Sequence, residues 1–263
     1  MIDVNKLKSD VELIRKTSPL VHNIINGVAM NFAANALLAI GASPIMSYAK
    51  EEMEDMVKIA NVLTINIGTL DEESVKGMLI AGKTMHKLNK PIIFDPVGVG
   101  ATPYRNQVCK QIIEECNPTI IRGNASEIMA ILNTQVKSKG VDSTESSDTA
   151  LDSAKQLAKL TKAVVVISGE TDYITDGDRV EKITNGSTKM TSVTAMGCTA
   201  TTIIGAFAAI NPNTLEAALH AMAVMGLCGE DAANNSKGNG SLMINFLDNL
   251  SIFPTPQLIN QIQ

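Results

Sequence analysis

A chain of 263 residues with 45% hydrophobic content can bury a full core, and the length suits one α/β domain over residues 1–263 better than two small ones. Its 22 basic and 27 acidic residues, net charge of -5, absence of Trp and 3% aromatics leave neither a basic stripe nor a base-stacking platform, which argues against a nucleic-acid partner. Cys109, Cys116, Cys198 and Cys228 form no C-x-x-C pair, which points away from zinc and thioredoxin-like chemistry and towards a reducing cytoplasm.

The chain opens with Val4, Leu7, Val11 and Ile14 spaced among alternating acids and bases, the pattern of an amphipathic helix rather than a signal peptide. Short apolar runs ending in Gly, Asp, Ser or Arg then predict strands at Pro44–Ser47, Val62–Asn66, Pro91–Asp95, Thr119–Ile121 and Ala163–Ser168. Helical patterns are interleaved with them: Asn31–Ile40, Glu51–Ala60, Glu72–Leu88, Asn106–Cys116, Ser126–Leu132 and Thr149–Leu160. Helices of that length between strands imply parallel crossovers, hence a three-layer α/β/α fold with a mostly parallel central sheet. Residues 137–148 read as a polar loop. Asp172–Thr175 and Arg179–Thr184 flank Asp176-Gly177-Asp178, a hairpin signal that adds an antiparallel edge. Two helices, Leu215–Glu230 and Ser241–Leu250, complete the chain. The longest apolar stretch, Ala195–Ile210, is interrupted by threonines and falls short of a membrane span, so no membrane association is expected.

Ligands of such sheets bind at the carboxyl ends of the strands. There the chain places Asp95-Pro96-Val97-Gly98-Val99-Gly100-Ala101, Arg122-Gly123-Asn124-Ala125-Ser126-Glu127 and Ser168-Gly169-Glu170: a carboxylate with glycines, a cation with a carboxylate, and a hydroxyl beside a glycine. Each also has a plain reading. Asp-Pro before glycines is ordinary turn chemistry, Asn124 with Glu127 is a capping box, a lone Arg122 is a surface charge, and Cys198 among small residues is a packed thiol. Thr194-Ala195-Met196-Gly197-Cys198-Thr199-Ala200, opening onto an apolar run, predicts unpaired backbone N–H groups at the positive end of a helix, an anion hole with a thiol inside it. Neither G-x-x-x-x-G-K-S/T nor G-x-G-x-x-G occurs, so a nucleotide must be held without a P-loop or a dinucleotide fingerprint. A carboxylate pair for Mg²⁺, an arginine for phosphate oxygens and a late helix N-terminus meet the needs of phosphoryl transfer.

Five motifs in order carry a resemblance: Val21-His22-Asn23-Ile24-Ile25-Asn26-Gly27-Val28-Ala29-Met30-Asn31, Gly41-Ala42-Ser43-Pro44-Ile45-Met46-Ser47, the Asp95 and Arg122 segments, and the Gly197-Cys198 turn. Together they cover essentially the whole chain, which resembles the hydroxyethylthiazole kinases of thiamine salvage, within the ribokinase-like superfamily. That family phosphorylates the primary alcohol of 4-methyl-5-(2-hydroxyethyl)thiazole with ATP and Mg²⁺, as a homotrimer with active sites at subunit boundaries. The resemblance implies ATP contacts at Arg122 and Ser168, and thiazole contacts at Met46 and Ala195 with Asn26 and Val28 completing the pocket. It also implies an acidic Mg²⁺ pair at Asp95 and Glu127, and the catalytic turn at Gly197 and Cys198. Other ribokinase-like readings are a hydroxymethylpyrimidine-type kinase, a repair dehydratase or a non-catalytic ligand sensor.

The family turn often reads Thr-Gly-x-Gly-Cys, whereas here position 195 is Ala. A positive φ would strain an alanine, so the expectation is an ordinary backbone there. The helix N-terminus would favour a thiolate at Cys198, yet a loose transition state lets the hydroxyl proton leave late. The expectation is that Cys198 orients the substrate hydroxyl and is a modest base at best.

Overall fold

A computed structural model describes residues 2–135 and 147–261, apart from the side chains of 134, 135 and 147–149. The elements run α1 (Val4–Thr17), β1 (Leu20–Ile24), α2 (Met30–Ile40), β2 (Ser43–Met46), α3 (Met53–Ile59), β3 (Val62–Asn66), α4 (Glu72–Lys87), β4 (Ile92–Asp95) and α5 (Pro103–Cys116). They continue as β5 (Ile120–Asn124), α6 (Ala125–Gln135), α7 (Ser147–Thr161), β6 (Val164–Ser168), β7 (Asp172–Thr175), β8 (Val180–Ile183), α8 (Met196–Ala208), α9 (Thr214–Asn234), α10 (Asn239–Ile252) and α11 (Pro256–Ile259). The polar loop expected at 137–148 lies outside the described residues, except that 147 and 148 begin α7.

One sheet has the order β2-β1-β3-β4-β5-β6-β7-β8. Pairing is parallel from β2 to β6 and antiparallel at β6-β7 and β7-β8, the mostly parallel sheet with an antiparallel edge that the alternating pattern implies. The chain moves from β1 outward to β2 and then returns to the other side of β1 for β3, so the β1/β3 boundary is the topological switch point where a crevice opens.

Strand alternation divides the core in two. Val62, Ile93, Ile120, Val164 and Val166 face α1, α2, α8, α9 and α10. Leu63, Ile65, Ile92, Phe94, Ile121, Val165 and Ile167 face the helices α3 to α7. The strands β3 to β6 are thus apolar on both sides, which is why these runs read as continuous rather than alternating. α1 buries Leu7, Val11 and Ile14 on one stripe, starts where Asp3 accepts from the Asn5 and Lys6 amides, and stops at Ser18 in a left-handed conformation. His220 of α9 ties back to it, with Nδ1 2.7 Å from Asp10.

β1 was not among the predicted strands. Its centre, His22-Asn23, is polar yet fully buried, because His22 Nε2 bonds the Ser47 carbonyl (2.9 Å) and Asn23 accepts from the Thr64 hydroxyl (2.6 Å). Polar side chains that find partners inside the fold hide a buried strand from a reading based on hydropathy, although His22 Nδ1 has no partner.

Candidate active site

Parallel pairing brings the ends of β1, β3, β4, β5 and β6 to one edge of the sheet. The last residue of β3, Asn66, lies in register with Asp95, the last of β4, while Asn124 of β5 lies opposite Ser168 of β6. α8 crosses the sheet beneath them and its first turn opens at this edge. It can lie close because residue 205 is glycine: a Cβ there would stand 2.9 Å from Thr64 Cγ2 and 3.3 Å from Val21 Cγ1.

The expectation of an ordinary backbone at Ala195 is overturned: φ is 70° and ψ 0°, the left-handed region. Tertiary packing holds it there, since Ala195 packs against both the main core and a small cluster of Ile25, Ala29 and Ala33 that also receives Met46 and Cys198. The left-handed N-cap turns the chain sharply into α8, and no side chain caps the helix, so its first amides stay open. The guanidinium of Arg122 lies against Gly197, where a Cβ would sit 2.8 Å from Nη1. Arg122 Nη2 donates to Ser168 Oγ at 2.6 Å. The fork and the open helix end thus converge on one wall of a cavity of about 860 Å³, which Ala195, Met196, Gly197 and Asp172 also line.

On the far side of Ala195 lies a polar relay. Asn26 Nδ2 and Asn66 Nδ2 each donate to Cys198 Sγ at 3.2 Å. Asn66 also donates to Asp95 Oδ2 at 2.7 Å, and Thr201 Oγ1 donates to the same oxygen at 3.0 Å. Burial and the Asp95 carboxylate push the Cys198 thiol up, and these outweigh the two amide donors and Arg122, so the thiolate favoured by the helix end alone does not prevail.

Asp95 is fully buried, and burial pushes its carboxyl up to about 6 despite Arg122. Its Oδ1 has no hydrogen-bond partner. Glu127 is also the capping box read from the sequence: its Oε2 accepts from the Asn124 amide and Asn124 Oδ1 accepts from the Glu127 amide, both at 2.9 Å. Its Oε1 accepts from Gly98 N at 2.9 Å, which fastens the loop after β4 to α6. Among the described residues no group of three or more His, Cys, Asp or Glu side chains could cage a metal. A buried, unpartnered carboxylate oxygen with a second carboxylate near it suits Mg²⁺, which keeps most of its ligands as water and phosphate.

Of the residues singled out in the sequence, Arg122, Ser168, Gly197 and Ala195 share the large cavity, and Met46, Ala195 and Cys198 share the small apolar cluster. Asn26 touches Cys198, whereas Val28 is exposed to solvent. Three contributors escaped the sequence reading. Asn66 and Thr201 sit inside a strand and a helix where polar residues carry no motif, and Arg105 of α5 donates to the carbonyls of Ile67, Val97 (2.6 Å) and Gly68 (2.8 Å), clamping two strand-end loops together. The signal that could have found Asn66 is its place at the end of a strand bordering the switch point.

A model of the hydroxyethylthiazole kinase family matches residues 11–255. The chain belongs to that family. The hydroxyethylthiazole kinase of Leptospira biflexa is 52% identical over 241 residues, 92% of this chain and 90% of that protein. The hydroxyethylthiazole kinase structure from Pyrococcus horikoshii superposes with a TM-score of 0.90 at 34% identity, covering 98% of this chain and 96% of that one. A ribokinase-like superfamily protein from Enterococcus faecalis, at 16% identity and a TM-score of 0.63 over 92% and 87% of the two chains, shares the fold. Among the described residues no helix is long and apolar enough to cross a membrane.

Proposed function

We propose that this chain transfers the terminal phosphoryl group of ATP to the primary hydroxyl of 4-methyl-5-(2-hydroxyethyl)thiazole, a step of thiamine salvage. The observation that carries the reading is the position of Ala195. It starts an uncapped helix whose first turn lines the 860 Å³ cavity, and it also packs in the apolar cluster that holds Met46 and Cys198. A nucleotide entering from the cavity and a thiazole lying on the cluster would meet at the open amides of α8.

Each side chain has a job at that meeting point. The Arg122 fork binds phosphate oxygens beside the helix end, so developing negative charge meets oriented donors. Ser168 accepts from Arg122 and donates weakly to the Gly123 carbonyl at 3.4 Å, a bond its hydroxyl can exchange for one to the nucleotide. The Met46 thioether and the Ala195 methyl give the thiazole ring an apolar seat. Cys198 takes two amide N–H bonds on sulfur and stays a thiol, so it offers S–H to the acceptor hydroxyl and holds it in line. A strong base is not needed when bond breaking to the leaving oxygen runs ahead of attack. Asp95 and Glu127 would hold a Mg²⁺ that arrives with ATP, through water, and such an ion neutralises phosphate charge.

The assembly in this reading is a cytoplasmic homotrimer with sites at subunit boundaries. In support, Val28 is 67% exposed although it follows Asn26 closely, and its neighbours Gly27 and Met30 line a second cavity of about 230 Å³ with the exposed Tyr48. Light scattering behind a sizing column should return three copies of the 27.9 kDa chain.

Purified protein with Mg·ATP and a panel of alcohols, followed by ADP release and mass spectrometry, tests the activity. The expected result is ADP release that depends on the thiazole alcohol and yields its phosphate. Preferential phosphorylation of hydroxymethylpyrimidine, or ADP release indifferent to the alcohol, would contradict it.

A further inference from the structure

Asn66 stands at the end of β3, beside the β1/β3 switch point, and is 1% exposed. Every hydrogen-bonding position of its carboxamide that the surroundings reach is in use. Oδ1 accepts from Asn26 Nδ2 (3.0 Å) and from the Gly68 amide (2.9 Å). Nδ2 donates to Asp95 Oδ2 (2.7 Å) and to Cys198 Sγ (3.2 Å). The two donors on the oxygen fix which way round the planar amide lies, because a flip would set its NH₂ against two other N–H groups. With the oxygen side locked, the nitrogen can face only the carboxylate and the thiol. The backbone keeps it there: a Cβ at Gly68 would come within 2.9 Å of both Asn66 Oδ1 and Asn26 Nδ2, so the loop is wrapped directly over the pair.

We infer that Asn66 is the positioning residue of the transfer site, a rigid spacer that sets the acceptor end, Cys198, against the cation end, Asp95. The inference rests on the kinase reading above for what those two ends do. Its nearest relatives do not meet the geometry: aspartate cannot donate when ionised, serine does not span the gap, and glutamine is a methylene too long. Asn66 need not touch either substrate. Its effect is alignment, so its loss should lower kcat while leaving substrate affinities nearly intact.

The test uses Asn66→Asp, which keeps the side-chain shape, and Asn66→Ser, which removes the spacer. Both would be compared with the unaltered protein for kcat, for KM towards ATP and the thiazole alcohol, and for alkylation of Cys198 by iodoacetamide at fixed pH. Cys109, Cys116 and Cys228 are fully buried, so alkylation of the native protein reports Cys198. The expected result for Asn66→Asp is a kcat at least about 100-fold lower with both KM values within about threefold. Alkylation should also slow by about tenfold or more, since the sulfur loses the amide donor that stabilises its thiolate. Folded variants with kcat within about threefold of the original, KM rising in step with a loss of kcat, or alkylation unchanged would each overturn the inference. So would failure of both variants to fold, which would make Asn66 a folding residue. If the unaltered protein phosphorylates no thiazole alcohol, the kinase reading fails instead, and the alkylation arm alone decides whether Asn66 sets the state of the thiol.

Discussion

Ala195 shows how much a single backbone angle can settle. Its φ of 70° is a conformation that glycine adopts freely and alanine only at a cost of about 1 kcal/mol. Ala195→Gly should therefore leave thermal stability level or raised by up to about 1 kcal/mol, the relief of strain exceeding the extra freedom of the unfolded chain. A drop of more than about 1 kcal/mol in thermal melts would mean that the methyl contributes more by packing than it costs in strain. Asp172 offers a second test at this scale. Burial pushes its carboxyl up to about 6 even though Gly169 N donates to it at 2.9 Å and Arg122 is near. Because the folded state holds this proton more tightly than the unfolded chain, stability falls as pH rises from about 4 through 6. A carboxamide oxygen at this position would still accept from the Gly169 amide, so Asp172→Asn should flatten part of that slope and gain up to about 3 kcal/mol above pH 7. Asp95 titrates in the same window and leaves a residual slope in both proteins. Parallel curves for the two proteins in urea titrations from pH 4 to 8 would refute the assignment.

The residues readable in the sequence were those whose chemistry is local. Asn124 and Glu127 announce a capping box at three residues' spacing, and Asp95 follows an apolar run, so both could be placed at strand ends unaided. Asn66, Thr201 and Arg105 act on partners 29, 106 and 38 positions away, and only the folded sheet brings those partners within reach.

Among the elements, the alternating helices and strands were legible wherever hydropathy and geometry agree, as at Val62–Asn66 and in the hairpin flanking Gly177. β1 was missed because His22 and Asn23 occupy its buried centre, and the 3-10 turn at Thr188–Ser192 because it buries nothing. α8 has the clearest energetic signature. Eleven of its thirteen residues are buried, and Gly205 is where it passes closest to β1, β3 and β4. Gly205→Val would drive two methyls into Thr64 and Val21, at a cost of about 1–3 kcal/mol. Urea midpoints measured side by side would show it, and an unshifted midpoint would mean that α8 can lift from the sheet without loss.

For the whole molecule, strand order creates the site. The β1/β3 switch point gathers Asn26 and Asn66, parallel pairing adds Asp95, Arg122 and Ser168 along the same edge, and α8 is threaded beneath so that its open end meets them all. The three-layer class and the antiparallel edge follow from the sequence pattern. That the site runs from the β1/β3 boundary to the cavity at the ends of β5 and β6 follows from long-range pairing that no local pattern encodes. In the proposed transfer, the open end of α8 is the place where phosphoryl charge is stabilised, and turnover of two neighbouring variants tests this most directly. Gly197→Val inserts a Cβ 2.8 Å from Arg122 Nη1 and should cut kcat by about 1,000-fold or more, whereas Cys198→Asp should retain or improve the original rate. A folded Gly197→Val enzyme within tenfold of the original, or a Cys198→Asp enzyme that binds both substrates yet is dead, would contradict it.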